Sequence, residues 1–327
     1  MIHMTMMEAL NSAIKEEMER DHSIICLGQD IGKGGGVLRI TEGLQEQFGA
    51  ERVVDTPIAE SAIIGSAVGM ATRGLRPIAE IQFFGFIYEA MGQIAAQAAR
   101  IRSRSGGVYS APMVIRAPYG GGIGAPELHT DSLEGLFLHS PGIKVVTPSN
   151  PYDAKGLLKA AIRDPDPVLF LEPILLYMMS FGEVPKEDYV VEIGKAKVLK
   201  EGEDLTIITY GPAVPKVEQA VAQIENELSL SVEVIDLRTI VPMDREAIIN
   251  SAKKTGRVMV VHEAVKAGGV SAEISALLNE KAFDYLKGPI ARVTGFNTPY
   301  PVPSVEKDWL PNEERIVQAA EKMFAKV

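Results

Sequence analysis

The first residue whose type and position suggest chemistry is an acidic side chain in an apolar stretch. Glu60 opens a predicted helix after the extended run Val53–Asp55 and the strand-ending Pro57. This order places the carboxyl at the carboxyl end of a parallel strand, where open α/β sheets bind ligands. Apolar neighbours such as Ile58 and Ile63 disfavour the ionised form, so the carboxyl can hold or share a proton near neutral pH. A helix that simply begins with an acidic residue explains the same spacing.

The same predicted helix carries small residues every four positions. Ser61, Gly65 and Gly69 lie on one helix face, which therefore has no large side chains along this line. Another helix backbone can approach closely there, either within this chain or from a partner subunit.

A glycine-rich loop, residues 118–129, ends in a histidine. Its sequence P-Y-G-G-G-I-G-A-P-E-L-H lacks the ending of a phosphate-binding loop and the spacing of a dinucleotide fingerprint. The glycines permit an irregular backbone beside a ligand. An imidazole at His129 can donate or accept a proton at physiological pH, although a solvated loop histidine fits the pattern equally well.

Aromatic residues cluster in residues 80–90, again just after a predicted strand. Such a run usually fills a core. Phe86 and its neighbours can instead wall a flat heteroaromatic ligand by stacking, with Gln82 available for a hydrogen bond.

The composition excludes several functional classes. The chain of 327 residues fits two domains, and 43 acidic against 33 basic residues give a net charge of −10. We therefore expect no nucleic acid and no membrane as partners. A single cysteine and the lack of an export signal predict a cytoplasmic protein. Five histidines without metal-site spacing argue against zinc.

Strand and helix patterns alternate almost throughout, which predicts an α/β fold with two doubly wound domains. We assign residues 1–185 to the first domain, 186–203 to a linker and 204–327 to the second domain. The predicted strands are residues 23–27, 53–55, 77–81, 112–116, 143–146, 168–172, 205–210, 232–237, 258–262 and 290–294. The predicted helices are residues 5–20, 60–73, 86–104, 152–163, 214–228, 244–255 and 269–286.

Several motifs in a fixed order identify a family. They follow Glu60 as E-I-Q-F, R-A-P-Y-G-G-G, H-T-D-S-L-E-G, P-G-I-K-V-V-T-P-S-N-P-Y-D-A-K-G-L-L, I-R-D-P-D-P-V and D-L-R-T-I-V-P-M-D. With them, the chain resembles end to end the beta subunit of the thiamine-dependent first component of 2-oxo acid dehydrogenase complexes. The resemblance implies a transketolase-like architecture, with a pyrimidine-binding domain followed by a transketolase C-terminal domain.

The resemblance also implies the site. In that family thiamine diphosphate lies between an alpha and a beta chain, and the glutamate at the position of Glu60 hydrogen-bonds the aminopyrimidine ring. Gln82 and Phe86 are expected to contact the cofactor, and His129 to help proton transfer or the lipoyl reaction. The expected activity is oxidative decarboxylation of a 2-oxo acid and transfer of the acyl group to lipoyl groups on the acyltransferase core.

A missing motif predicts the partner. Relatives that hold the diphosphate carry G-D-G followed by Asn, which binds Mg²⁺, and this sequence has no G-D-G. We expect the alpha subunit to supply the diphosphate and Mg²⁺ half of the site in an alpha2-beta2 heterotetramer.

Other implications of the resemblance stay open. A structural potassium ion is implied at a set of six positions: Ala111, Met113, Val114, Ala161, Asp164 and Asp166. Either pyruvate or a branched-chain 2-oxo acid is the expected substrate, with a preference for the latter. The alternatives are the C-terminal half of a split transketolase and a non-catalytic pairing subunit.

Overall fold

Parallel strands form the centre of both halves of the chain. The computed structural model describes residues 1–325. The strands are β1 (Ile2–Thr5), β2 (Ile24–Gly28), β3 (Val53–Asp55), β4 (Arg76–Glu80), β5 (Val114–Tyr119), β6 (Lys144–Val146), β7 (Val168–Pro173), β8 (Phe181–Val184), β9 (Lys197–Lys200), β10 (Leu205–Thr209), β11 (Val232–Asp236), β12 (Thr239–Val241), β13 (Val258–Val265) and β14 (Ala291–Gly295).

Helices cover these strands. They are α1 (Met6–Arg20), α2 (Leu44–Phe48), α3 (Glu60–Thr72), α4 (Met91–Ala95), α5 (Ile101–Arg104), α6 (Gly135–Leu138), α7 (Pro151–Arg163), α8 (Leu176–Met179), α9 (Val214–Leu228), α10 (Arg245–Thr255), α11 (Val270–Lys281), α12 (Glu306–Trp309) and α13 (Glu313–Phe324). Among the short 3₁₀ segments, Phe84–Ala90 and Glu127–His129 lie near the candidate site.

The N-terminal sheet has seven strands in the order β12-β6-β7-β5-β4-β2-β3. Its strands run parallel except for the antiparallel pair of β12 and β6. The central strands β5 and β7 are buried along their whole length, as expected where helices cover both faces of a sheet. Because β12 follows β11 in the sequence, the C-terminal half of the chain completes the N-terminal sheet.

The C-terminal sheet has the order β14-β13-β10-β11-β9. Four parallel strands joined by helices give the doubly wound arrangement expected from the sequence. The fifth strand, β9, is antiparallel and lies within the predicted linker, residues 186–203, so this segment is more than a connection. Its strand pattern is weak in the sequence, because the strand begins and ends with Lys197 and Lys200 and its Val198 is exposed, as is common for edge strands.

The structure corrects one long predicted helix. Residues 86–104 were expected to be continuous, but they contain the 3₁₀ segments Phe84–Ala90 and Ala98–Arg100 separated by α4 and followed by α5. Gly85 and Gly92 weaken helical order, and the Phe84 side chain turns into the core while Tyr88 is exposed. Likewise, the helix predicted for residues 269–286 ends at Lys281.

A buried hydrogen bond connects the two halves beside the N-terminal sheet. The Tyr210 hydroxyl at the end of β10 donates to Oε1 of Glu134 at 2.7 Å. Glu134 is fully buried, and its Oε2 has no hydrogen-bond partner among residues 1–325. Burial raises the pKa of Glu134 to about 7, so the protonated carboxyl is favoured up to neutral pH.

We expect Glu134→Gln to alter the pH dependence of stability. The folded-state pKa of Glu134 lies above its usual value of 4.5, so between these two values the folded chain keeps a proton on Glu134 that the unfolded chain has released. The stabilising effect of this proton is complete below about pH 4.5 and is lost as the pH rises to about 7. The free energy of unfolding of the unmodified chain, minus that of the variant, should therefore fall by about 3 kcal/mol across this range. Urea unfolding at several pH values measures it, and a constant difference would contradict the assignment.

Candidate functional site

Glu60 begins α3 at an open edge of the N-terminal sheet, directly after the edge strand β3. Its side chain is half-buried, and the next residues, Ser61 and Ala62, are exposed. The apolar enclosure expected from the sequence is only partly present, because Ile58 is 72% exposed and Ile63 faces the core. The carboxyl therefore lies at a surface that a second molecule can cover.

The aromatic segment divides between core and site. Phe84 is fully buried, with its ring 6.1 Å from those of Tyr119 and Phe137. Phe86 and Gln82 are only half-buried at the carboxyl end of β4. The first part of the run thus fills the core, whereas the half-buried side chains remain accessible to a ligand.

His129 packs on this aromatic segment. Its ring centroid lies 4.4 Å from that of Phe83 and 5.3 Å from that of Phe86. The buried Nδ1 atom of His129 has no hydrogen-bond partner within residues 1–325. The aromatic rings thus hold the imidazole in place, and the enclosed Nδ1 atom is not the nitrogen that meets a ligand from outside.

Gly85 permits this contact. A Cβ atom at this position would lie 2.3 Å from the carbonyl oxygen of Leu128. The absence of a side chain therefore allows the 3₁₀ segments Phe84–Ala90 and Glu127–His129 to touch. Since α3 also packs on Phe84–Ala90, three neighbouring elements carry Glu60, Phe86 and His129.

Comparisons with known proteins agree with this architecture. The family model described as "Transketolase, pyrimidine binding domain" matches residues 3–179, and that described as "Transketolase, C-terminal domain" matches residues 194–316. The chain is 50% identical over 324 residues to the pyruvate dehydrogenase E1 component subunit beta of Bacillus subtilis, with 99% of each chain covered. It is 54% identical over 319 residues to the protein of that name from Acholeplasma laidlawii, covering 98% and 97% of the two chains.

The chain belongs to the beta-subunit family of the 2-oxo acid dehydrogenase first component. This confirms the resemblance inferred from the motifs. Solved structures support the fold. A split-gene transketolase described as an inactive beta4 tetramer superposes with a TM-score of 0.80 at 24% identity, covering 98% and 97% of the two chains. A transketolase from Leishmania mexicana gives 0.69 at 16% identity, covering 97% and 45%.

A buried ion-pair cluster, which the strand patterns did not reveal, joins three strands of the N-terminal sheet of this beta-subunit chain. Arg116 on β5 binds Glu172 on β7 through two hydrogen bonds of 2.7 and 2.8 Å, and Glu80 at the end of β4 at 2.8 Å. The Arg116 side chain is 1% exposed. Charged residues within three apolar strand patterns are the signal that predicts such a cluster. The cluster ties the strands that lead to Gln82 and to the glycine-rich loop.

We expect Arg116→Met to lower the free energy of unfolding by about 3–5 kcal/mol, because two buried carboxylates lose their partner. Arg102→Met is the matched control: its pair with Asp166 is partly exposed and contributes at most about 1 kcal/mol. Urea unfolding of both variants tests the difference. Equal losses would show that the cluster does not hold the strands together.

The acidic residues proposed to bind potassium already have cationic partners. Nζ of Lys144 lies 2.5 Å from Oδ2 of Asp164, and Nε of Arg102 lies 2.5 Å from Oδ1 of Asp166. The Arg76 guanidinium donates to the carbonyl oxygen of Asp164 at 3.1 Å. These contacts neutralise the negative charge that would favour a bound cation.

The proposed carbonyl ligands are engaged as well. The Met113 carbonyl accepts from the amide of Val168 at 3.0 Å, and the Ala161 carbonyl from the amide of Asp164 at 3.3 Å. Ala111 and Val114 are buried beside Met113. The acidic side chains are therefore paired and two of the carbonyls each accept one hydrogen bond, and the potassium ion stays a prediction.

Two further properties concern the described residues of this beta-subunit chain. Within residues 1–325, no cluster of three or more His, Cys, Asp and Glu side chains has metal-binding geometry. No helix in that range combines the length and apolarity needed to cross a bilayer.

Proposed function

We propose that this chain is the beta subunit of a pyruvate dehydrogenase first component and forms one half of a thiamine diphosphate site. The observation that carries the proposal is the identity of about 50% over nearly the whole length with proteins named as such subunits. Glu60, Phe86 and His129 on three adjacent elements supply the side chains that the site requires.

The residues at this edge fit the cofactor. The half-buried Glu60 would hold a proton against the aminopyrimidine ring, while Phe86 and Gln82 would contact the ring system. When bound, thiamine diphosphate supplies the electron sink for decarboxylation. The His129 imidazole would hold or move a proton beside the reacting groups, including the lipoyl group that receives the acyl fragment.

The proposal includes a partner for the open face of α3. Ser61 and Gly69 are exposed, and a Cβ atom at Gly69 would meet no atom within 4 Å. A helix face this smooth suits close contact with another subunit. We assign it to an alpha subunit that holds the diphosphate and Mg²⁺, in an alpha2-beta2 particle that acts with the lipoyl acyltransferase core. The cytoplasmic location stays a prediction.

Pyruvate is the substrate that the relatives' names favour, in place of the branched-chain acids preferred from the sequence. The test is to assay the reconstituted alpha–beta particle with pyruvate, 4-methyl-2-oxopentanoate and 3-methyl-2-oxobutanoate. Added methylenes change selectivity by about 10–200-fold, so kcat/KM should be at least tenfold higher for pyruvate. A branched-chain preference would overturn the pyruvate assignment.

The same assay addresses the two alternatives. Ketol transfer between sugar phosphates would indicate a split transketolase, whose solved relative shares only the fold with this chain. Full assembly without turnover of any 2-oxo acid would indicate a non-catalytic pairing subunit.

A further inference from the structure

The glycine-rich loop that leads to His129 is bound by the C-terminal domain. The amide of Gly121 donates to Oε2 of Glu263 at 2.8 Å, and the next amide, of Gly122, donates to Oε1 of Glu306 at 3.0 Å. Glu263 lies on β13 and Glu306 begins α12. Two carboxylates from separate elements of one domain therefore bind consecutive amides of a loop from the other.

Each carboxylate is itself fixed. Nζ of Lys216 lies 2.9 Å from Oε1 of Glu263, and the Tyr300 hydroxyl donates to Oε1 of Glu306 at 2.6 Å. Glu263 is 2% and Glu306 is 6% exposed. Hydrogen bonds from amides to buried carboxylates are about twice as strong as those between neutral groups. We call these two carboxylates the carboxylate clamp.

Glycine is required where the clamp binds. A Cβ atom at Gly121 would lie 2.0 Å from the Tyr300 hydroxyl oxygen. Gly120 has φ of +93°, and a Cβ atom there would lie 3.2 Å from Glu263. The glycines thus let the loop backbone reach the C-terminal domain directly.

The loop beyond the clamp is largely exposed before the histidine. Gly122, Ile123 and Gly124 are exposed, and so is Leu128. The next fixed point is the close approach of Gly85 to the Leu128 carbonyl. The backbone that carries His129 is therefore held between the clamp and the aromatic segment.

We propose that Glu263 and Glu306 are positioning residues that act on the reaction through His129. The clamp gives the C-terminal domain a direct role: it sets the path of the glycine-rich loop and so the place of the imidazole. This inference rests on the proposed function of the thiamine site.

The test is a double-mutant cycle in the reconstituted alpha–beta particle. Glu306→Ala should lower kcat about tenfold to a hundredfold, because a displacement of about 1 Å is costly, while the Kd for thiamine diphosphate remains unchanged. In the His129→Gln background the same change should have little further effect on kcat. Glu306→Gln keeps a carbonyl acceptor for the Gly122 amide and should retain more activity than Glu306→Ala.

Glu314 is an exposed glutamate on the neighbouring helix α13. The control variant Glu314→Ala should leave kcat unchanged. An equal loss of kcat from Glu306→Ala with and without His129 would overturn the proposal, as would full activity of Glu306→Ala. Amide hydrogen exchange of residues 118–129 adds a readout that needs no activity. Faster exchange in Glu306→Ala is expected, and unchanged exchange would contradict the clamp even if the unmodified particle turned over no 2-oxo acid.

Discussion

Replacing Glu60 by Gln should abolish cofactor-dependent decarboxylation in the reconstituted alpha–beta particle while assembly stays intact. Glutamine keeps the size and the hydrogen-bonding oxygen of the side chain, but it cannot give or take a proton. Since general acid–base catalysis contributes about 10²–10⁴-fold, kcat should fall at least a hundredfold. Steady-state assays with pyruvate measure the loss, and size-exclusion chromatography measures assembly.

The structure offers a matched control for this substitution. Glu46 is an exposed glutamate in the first turn of another helix, α2, and Glu46→Gln removes the same charge away from the site. Its kcat should stay within about twofold of the unmodified value, as for most surface substitutions. Unchanged turnover of the Glu60→Gln particle would refute the proton-holding role.

The isolated chain should bind thiamine diphosphate only weakly, even with Mg²⁺ present. It lacks the G-D-G motif that holds the metal and the diphosphate, and Glu60 lies at an open surface. Phosphate contacts by a metal ion provide much of the binding energy for such a ligand. Adding the alpha subunit should therefore lower Kd by about a hundredfold or more, which corresponds to about 3 kcal/mol.

Isothermal titration calorimetry of the beta chain, the alpha chain and their mixture provides this comparison. Titrations with and without Mg²⁺ separate the contribution of the metal from that of the partner. Tight, Mg²⁺-dependent binding by the beta chain alone would contradict the shared site.

Regular elements with strong periodicity could be predicted from the sequence. Strand β3 and helix α9 have the predicted bounds, and the start of α3 at Glu60 was expected from the Pro57 turn. Hydrophobic alternation does not predict secondary structure where contacts distant in the sequence determine the local conformation. The 3₁₀ segment Phe84–Ala90 is such a case, because its Gly85 lies so close to the Leu128 carbonyl that a Cβ atom would clash. The edge strand β9 was missed because its exposed and charged residues resemble a connection.

The candidate site likewise has features that could be predicted from the sequence and features that depend on distant contacts. Residue types and strand ends indicated Glu60, Phe86 and His129 as candidate site residues, and the structure places them on neighbouring elements. The contact between Phe86 and His129, the clamp and the Arg116 cluster depend on side-chain distances between strands and domains. The openness of the surface around Glu60, including the exposed Ile58, also became visible only in the folded chain.

The most direct measurement is a structure of the assembled alpha–beta particle with thiamine diphosphate and Mg²⁺ bound. We predict that the cofactor lies at the interface of the two subunits and that the Glu60 carboxyl is within hydrogen-bonding distance of the aminopyrimidine nitrogen. A cofactor enclosed entirely by the alpha subunit, or a Glu60 carboxyl directed away from the ring, would contradict it.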